Sequence, residues 1–192
     1  PTVIEDGFCY DNNLFENCPD WVNVQGYFQT EKYFKHIEKE IREDFEFKDE
    51  ILEPCKEMIE GIEDPISLHV RRTDYITNPN HTALDIDYYT NALKEFDSDA
   101  TVLVFSDDPE WCSEQELFSD DRFLIAEGNS NYVDMCLMTL CSGHIIANSS
   151  FSWWGAWLSN SKKVIAPAGW FRGSKNEHLD TKDVVPDNWM VI

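Results

Sequence analysis

The chain has 192 residues, 42% of them hydrophobic, which suits one globular domain with a real core, or one domain plus a smaller appended piece. Fifteen Lys and Arg stand against 37 Asp and Glu, a formal net charge of −22, and a field of that sign repels nucleic acid and anionic membrane surfaces. A phosphate-bearing ligand therefore needs a local basic cluster, and adjacent basic residues occur only at Arg71-Arg72 and Lys162-Lys163.

No apolar run approaches the roughly 18 residues of a membrane span, and no charged-then-apolar signal segment opens the chain, so the sequence reads as cytoplasmic, or peripheral at a membrane where glycans are assembled. Cysteines stand at 9, 18, 55, 112, 136 and 141 with no Cys-x-x-Cys pair and no His at zinc spacing, the pattern of free, partly buried thiols. Asn80-His81-Thr82 and Asn148-Ser149-Ser150 spell the glycosylation triplet, but no secretion signal gives them meaning.

Residues 1 to 30 are aromatic and turn-rich, with Gly7, Pro19 and Gly26, and show no sustained period. From Glu31 the spacing of Phe34, Ile37, Ile41 and Phe45 predicts an amphipathic helix, and a second helix is expected over 49–60, ending at Gly61. Residues 1–63 are thus expected to be an irregular and helical lead-in to a domain over 64–192. After Pro65, short apolar runs at Ile66 to Val70, Val102 to Phe105, Phe123 to Ala126, His144 to Ala147 and Val164 to Ala166 alternate with helix-like stretches at about 87–97, 109–117, 131–142 and 152–160. Strand and helix in alternation imply parallel strands joined by right-handed crossovers, hence an open three-layer α/β sheet.

Open parallel sheets bind ligands beyond the carboxyl ends of their strands, where loops and helix N-termini converge. The residues that follow the first four expected strands are Arg71-Arg72-Thr73-Asp74, Ser106-Asp107-Asp108, Glu127-Gly128-Asn129 and Asn148-Ser149-Ser150-Phe151-Ser152. Each is rich in hydrogen-bonding groups. Arg71 and Arg72 carry the group suited to bidentate phosphate binding, against the alternative of surface pairing with the many carboxylates. Ser149, Ser150 and Ser152 precede a helical Trp153-Trp154-Gly155-Ala156-Trp157-Leu158, so hydroxyls and open backbone N–H groups are expected at a helix N-terminus, either holding an anion or simply capping. The three tryptophans have helical spacing and read as packing. Asp107-Asp108 before Pro109 reads as a helix start in preference to a metal-binding pair. Asp134, on an otherwise apolar helix, can accept two hydrogen bonds from a guanine edge or stand exposed on the helix face.

The segments His69-Val70-Arg71-Arg72-Thr73-Asp74-Tyr75, Ser106-Asp107-Asp108, and Asp134 through Asn148-Ser149-Ser150-Phe151-Ser152-Trp153-Trp154-Gly155-Ala156-Trp157 resemble the α-1,2-fucosyltransferases of glycosyltransferase family 11, over roughly residues 5 to 170. The first segment is also similar to the α-1,6-fucosyltransferases. The resemblance implies a Rossmann-like, nucleotide-sugar-binding domain of a GT-B glycosyltransferase, with GDP-fucose as donor substrate, no cofactor and a glycan acceptor. It implies inverting, metal-independent transfer, α-1,2 to a galactose-type hydroxyl. Carried onto matching positions, Arg71 and Arg72 would bind diphosphate and fucose and stabilise the departing GDP, and His69 and Asp134 would flank the guanine. Asp108, Asn148, Ser149, Ser150 and Ser152 would complete the donor contacts. A carboxylate should deprotonate the acceptor; the sequence does not identify it, and Asp74 is the candidate. The family opens on a Gly-Gly-Leu-Gly-Asn-Gln-like strand and an N-terminal acceptor domain, and neither is matched here, so the expectation is a chain lacking that domain. The companion expectation is a module that binds a GDP-sugar without turnover of its own.

Overall fold

Past Pro65 the expected alternation of strand and helix is present in full. The computed structural model describes residues 1–81, 83–159, 161–171 and 178–192. Six parallel strands, β3 (Ile66–Val70), β4 (Val102–Ser106), β5 (Phe123–Ile125), β6 (Gly143–Ile145), β7 (Lys163–Ala166) and β8 (Met190–Val191), lie in the order β5-β4-β3-β6-β7-β8. The chain builds outward from β3 to one edge, then returns to add the other half beside it. β3 pairs with β4 from Ile66↔Val102 to Val70↔Ser106 and with β6 from Ile66↔Gly143 to Leu68↔Ile145. Every residue of β3 is buried, as a central parallel strand covered on both faces requires.

Side-chain alternation divides that strand between two layers. Ile66, Leu68 and Val70 join a cluster with Tyr88, Tyr89 and Ala92 of α4 (Ile86–Leu93) and Cys112 of α5 (Pro109–Ser113). On the opposite face, Leu103 and Phe105 meet Cys136, Leu137 and Met138 of α6 (Asn131–Thr139) and Cys55. On that face too, Ile146, Val164 and Ala166 meet Trp153, Ala156 and Trp157 of α7 (Ser150–Leu158). Helix α7 packs so closely on α6 that a Cβ on Gly155 would come within 2.8 Å of the Met138 sulfur. The fold is therefore the open, three-layer α/β sheet of a Rossmann-like domain. All six cysteines are free thiols, and Cys55, Cys112, Cys136 and Cys141 are buried.

The lead-in departs from the sequence expectation. Thr2–Ile4 (β1) and Asn23–Gln25 (β2) pair in parallel across a short helix, α1 (Asn12–Asn17). Three-residue strands carry too little alternation to be read from sequence. The buried Glu5 carboxylate fixes the end of this unit by accepting the backbone N–H of Tyr27 and of Phe28, each at 2.8 Å. The helix expected from Glu31 is instead two 3-10 turns, Glu31–Tyr33 and Lys35–Ile37, followed by α2 (Glu38–Asp44). The break falls at Phe34 (φ −130°, ψ 2°), whose ring stacks on Trp154 at 5.4 Å and meets Trp157 edge-on at 5.2 Å. Tertiary stacking outweighs helix continuity there. The second expected helix is α3 (Asp49–Met58), and its Cys55 sits in the α6 layer.

Smaller differences are at boundaries. The helix expected over 109–117 divides into α5 and a 3-10 turn at Glu116–Phe118, and β8 was too short to be expected. Thr82 of the first glycosylation triplet and residue 160 of the last expected helix lie outside the described residues.

Candidate functional site

The strand order reverses between β3 and β6, and the loops leaving those two strands diverge to open a crevice at their carboxyl ends. Chain parity then decides where each arginine goes. Arg71 continues the face of Ser67 and His69, whereas Arg72 continues the face of Val70. Arg71 lines a cleft of about 130 Å³ together with His69, Ser106, Asp107, Asp134 and Phe151. The Arg72 guanidinium lies 3.7 Å from the Trp111 ring centre, on the α5 side, and its Nε donates to Asp108 at 3.2 Å. The pair does not act as one fork in this conformation: only Arg71 faces the cleft.

Asp107 ties the crevice together. One carboxylate oxygen accepts the Arg72 backbone N–H at 2.8 Å, and the other accepts the Thr73 hydroxyl and lies 3.2 Å from Arg71 Nη1. Asp108 caps α5 by accepting the Trp111 N–H at 3.2 Å. The carboxylate pair is thus used by its own loops. Among the described residues no group of three or more His, Cys, Asp and Glu is placed to hold a metal ion. Asp74 is 56% exposed and pairs with Arg71 Nη2 at 2.5 Å, so it stands at the mouth of the cleft.

His69 is buried, with its Nδ1 lacking a hydrogen-bond partner among the described residues and its ring 5.6 Å from that of Phe151. Burial pushes its pKa down to about 4, with Asp107 opposing and Arg71 reinforcing the shift, so the ring is neutral at pH 7. Asp134, across the cleft on α6, accepts the Asn129 side-chain N–H at 3.0 Å. Its pKa is raised by desolvation and drawn back by that hydrogen bond.

At the far wall α7 begins. Ser149 is its N-cap residue in extended conformation, but its side chain makes no capping bond, unlike Asp11, Asp85 and Asp108 at their helices. The first turn of α7, Ser150 to Ser152, therefore presents backbone N–H groups without a side-chain cap, and Phe151 of this turn lines the cleft. Two residues expected at the ligand are structural in this arrangement. Ser152 is buried and its hydroxyl donates back to the carbonyls of Ala147 and Ser149 at 3.4 and 3.3 Å. Asn148 is buried, donates to the Trp170 carbonyl at 3.1 Å, and has its own carbonyl held by the Tyr75 hydroxyl at 3.2 Å.

The structure thus gathers His69, Arg71 and Asp134, with Ser149 and Ser150 at the adjoining turn. It places Arg72 and Asp108 on the opposite side of the strand and Asn148 and Ser152 behind the wall. Phe105, Ser106, Asn131 and Phe151 line the cleft without having been singled out. Phe151 and Ser106 sit inside segments read as polar strand ends, but nothing in the sequence says which way those side chains turn.

This geometry, a polar cleft at the reversal point of a parallel sheet, is where open α/β folds bind their ligands. The model of glycosyl transferase family 11 matches residues 13–192, and the chain belongs to that family. It is 40% identical over 185 residues to the α-1,2-colitosyltransferase of Escherichia coli, covering 89% of this chain and 62% of that protein. It is 34% identical over 163 residues to the O-antigen biosynthesis glycosyltransferase WbnK of Escherichia coli, covering 76% and 52%. With the galactoside 2-alpha-L-fucosyltransferase SEC1 of Bos taurus it shares 24% identity over 163 residues, covering 76% and 44%. The chain therefore spans between 44% and 62% of the length of these three relatives. A crystal structure of POFUT1 in complex with GDP has the same fold with a TM-score of 0.51 and 13% identity, covering 79% of this chain and 56% of that one. The architecture is that of the Rossmann-like domain of a GT-B glycosyltransferase.

Proposed function

We propose that the protein transfers fucose from GDP-fucose to a galactose-type hydroxyl of a glycan, forming an α-1,2 linkage with inversion and without a metal ion or cofactor. The observation that carries this reading is that Arg71 and Phe151, the latter in the uncapped first turn of α7, line one cleft at the sheet's reversal point, in a chain whose net charge is −22. Two positive ends converge where an otherwise acidic surface would reject a diphosphate. The names of the relatives, an α-1,2-colitosyltransferase and a galactoside 2-alpha-L-fucosyltransferase, and the GDP held by POFUT1 favour the donor class and linkage.

In this mechanism the guanine enters beside His69 and Asp134, the carboxylate accepting two hydrogen bonds from the guanine edge and the neutral imidazole offering one donor and one acceptor nitrogen. The bond from the sugar's anomeric carbon to the β-phosphate oxygen breaks, and its electron pair leaves with GDP. Arg71 and the α7 N-terminus stabilise that developing charge, and Arg72 joins them by leaving Trp111 and Asp108. The acceptor oxygen bonds the anomeric carbon from the opposite face, and Asp74 takes its proton. Ser149 and Ser150 add hydroxyl donors to the diphosphate.

Calorimetry with GDP and GDP-fucose, followed by radiolabelled transfer with and without EDTA, tests the reading. Binding and EDTA-resistant transfer are expected. Absence of GDP binding sinks the donor assignment, binding without transfer leaves a GDP-sugar-binding module, and EDTA inhibition reversed by manganese removes the metal-free step. The 40%-identical colitosyltransferase favours one variant of the donor, so GDP-colitose belongs in the same titration, and a clear preference for it would replace fucose as the transferred sugar.

A further inference from the structure

Across the first turn of α7 from the arginine cleft lies a second cavity, of about 250 Å³, that the donor reading leaves unused. Trp153, Trp170 and Val184 form its buried floor. Tyr27, 70% exposed, and Ser150 form its rim. The Gln29 side-chain oxygen on its wall is shielded from solvent and has no hydrogen-bond partner among the described residues, a polar group whose desolvation awaits a donor.

None of the described residues lining this cavity is charged. That separates it from the arginine cleft and disfavours any ionic ligand, phosphate included. Aromatic faces beside a few hydrogen-bonding groups suit a molecule with an apolar C–H face and a hydroxyl edge, which is the surface of a pyranose. Ser150 is shared with the α7 turn proposed to meet the diphosphate, so a ring seated here has its hydroxyls at the donor's end of the cleft.

We propose that this cavity is the acceptor subsite, holding a neutral galactose-type residue against Tyr27 with a hydroxyl turned to Gln29. The assignment rests on the glycosyltransferase reading above and differs from the expectation that acceptor contacts belong to a separate N-terminal domain, because it gives the lead-in, which supplies Tyr27 and Gln29, a share of them. Those residues do not touch the arginine cleft, so nucleotide binding and acceptor binding are separable by substitution.

The test uses methyl β-galactopyranoside as probe, with saturation-transfer NMR and titration of the chain in the presence and absence of saturating GDP. Saturation is expected to pass from aromatic protons to the ring C–H protons of the sugar. Tyr27→Ala is expected to weaken the galactoside by about threefold to tenfold, the scale of one lost aromatic contact, with GDP affinity unchanged. Gln29→Ala, whose smaller change keeps the fold even if Tyr27→Ala does not, is expected to weaken it in the same direction. No galactoside binding in either condition, or binding indifferent to both substitutions, overturns the assignment. So does a Tyr27→Ala variant that loses GDP-fucose affinity relative to GDP while keeping the galactoside, since the cavity then holds the donor's sugar. A chain that takes the galactoside but not GDP keeps this inference and sinks the donor reading instead.

Discussion

Leu68 and Trp21 stand at the two extremes of this chain: one is wholly buried in the central strand, the other 97% exposed in the lead-in. The contrast runs through both regions. The sheet buries apolar side chains on both faces, between α4 and α5 on one side and α3, α6 and α7 on the other. Ahead of α3, the lead-in leaves Ile4, Trp21, Val24 and Tyr27 open to solvent and meets α7 and its neighbours through a smaller set of contacts. Among these are Phe34 between the tryptophans, Trp157 Nε1 donating to Glu31 at 2.8 Å, and the Lys32–Asp183 ion pair. The sheet and its covering helices are thus the deeply buried region, and the segment ahead of α3 is the exposed one.

The strongest way to break that comparison is to cut the core of β3. Leu68→Ala removes buried methyl groups where both sheet faces are covered, and a loss of about 2 to 5 kcal/mol is expected, read as a lowered urea midpoint with an unchanged slope. A loss well under 1 kcal/mol would mean that the sheet is not where folding energy is concentrated.

Acid tests the same region through its buried histidines. Burial pushes His69 and His144 each down to about 4 from an ordinary 6.5. Between those values the unfolded chain binds a proton that the folded chain refuses, so stability is full above pH 6.5 and falls as pH drops toward 4. The shift corresponds to roughly 3 kcal/mol per histidine, although Asp183 and Glu38, whose pKa values are lowered on folding, add acid sensitivity of the same sign. Urea titrations at pH 7 and 4.5 should therefore show a shallower pH dependence for His69→Gln than for the parent. Equal dependence would mean that His69 takes up its proton in the folded state.

These two regions were not equally legible. Ile66 to Val70, bounded by Pro65 and Arg71, sets Ile66, Leu68 and Val70 at every second position, so a strand followed by a ligand loop can be read directly, whereas the burial of the intervening Ser67 and His69 cannot. The same is true of Asp108 before Pro109, whose side chain caps α5 as expected. What the sequence could not show is which way adjacent residues turn. Arg71 and Arg72 look alike in a string, but strand parity sends one into the cleft and the other onto Trp111. Ser149, Ser150 and Ser152 also look alike, but helical rotation puts Ser152 inside. In the lead-in, β1 and β2 are too short to leave a period, and Phe34 breaks a helix for the sake of tryptophans more than a hundred residues away.

The divergence of the arginines yields a sharper test of the cleft. Arg71→Ala should lower GDP affinity by about 1 to 3 kcal/mol, the range for a lost charged hydrogen-bond partner, with little change in stability. Arg72→Ala should lower it by a similar amount if its side chain swings to the diphosphate, and should also loosen the Asp108–Trp111 corner. Calorimetry beside thermal melting separates the two. Unchanged GDP affinity in Arg72→Ala would assign that residue to the α5 corner alone.

The smallest effect belongs to Trp21. It has a positive φ of 61° and a side chain in water, so nothing it touches in the fold is lost on truncation. Surface substitutions of this kind stay within about 0.5 kcal/mol, and Trp21→Ala should leave the urea midpoint where it was. A larger loss would show that the Trp21 ring is covered by something in solution, and a midpoint that depends on protein concentration would identify the cover as a second copy of the chain.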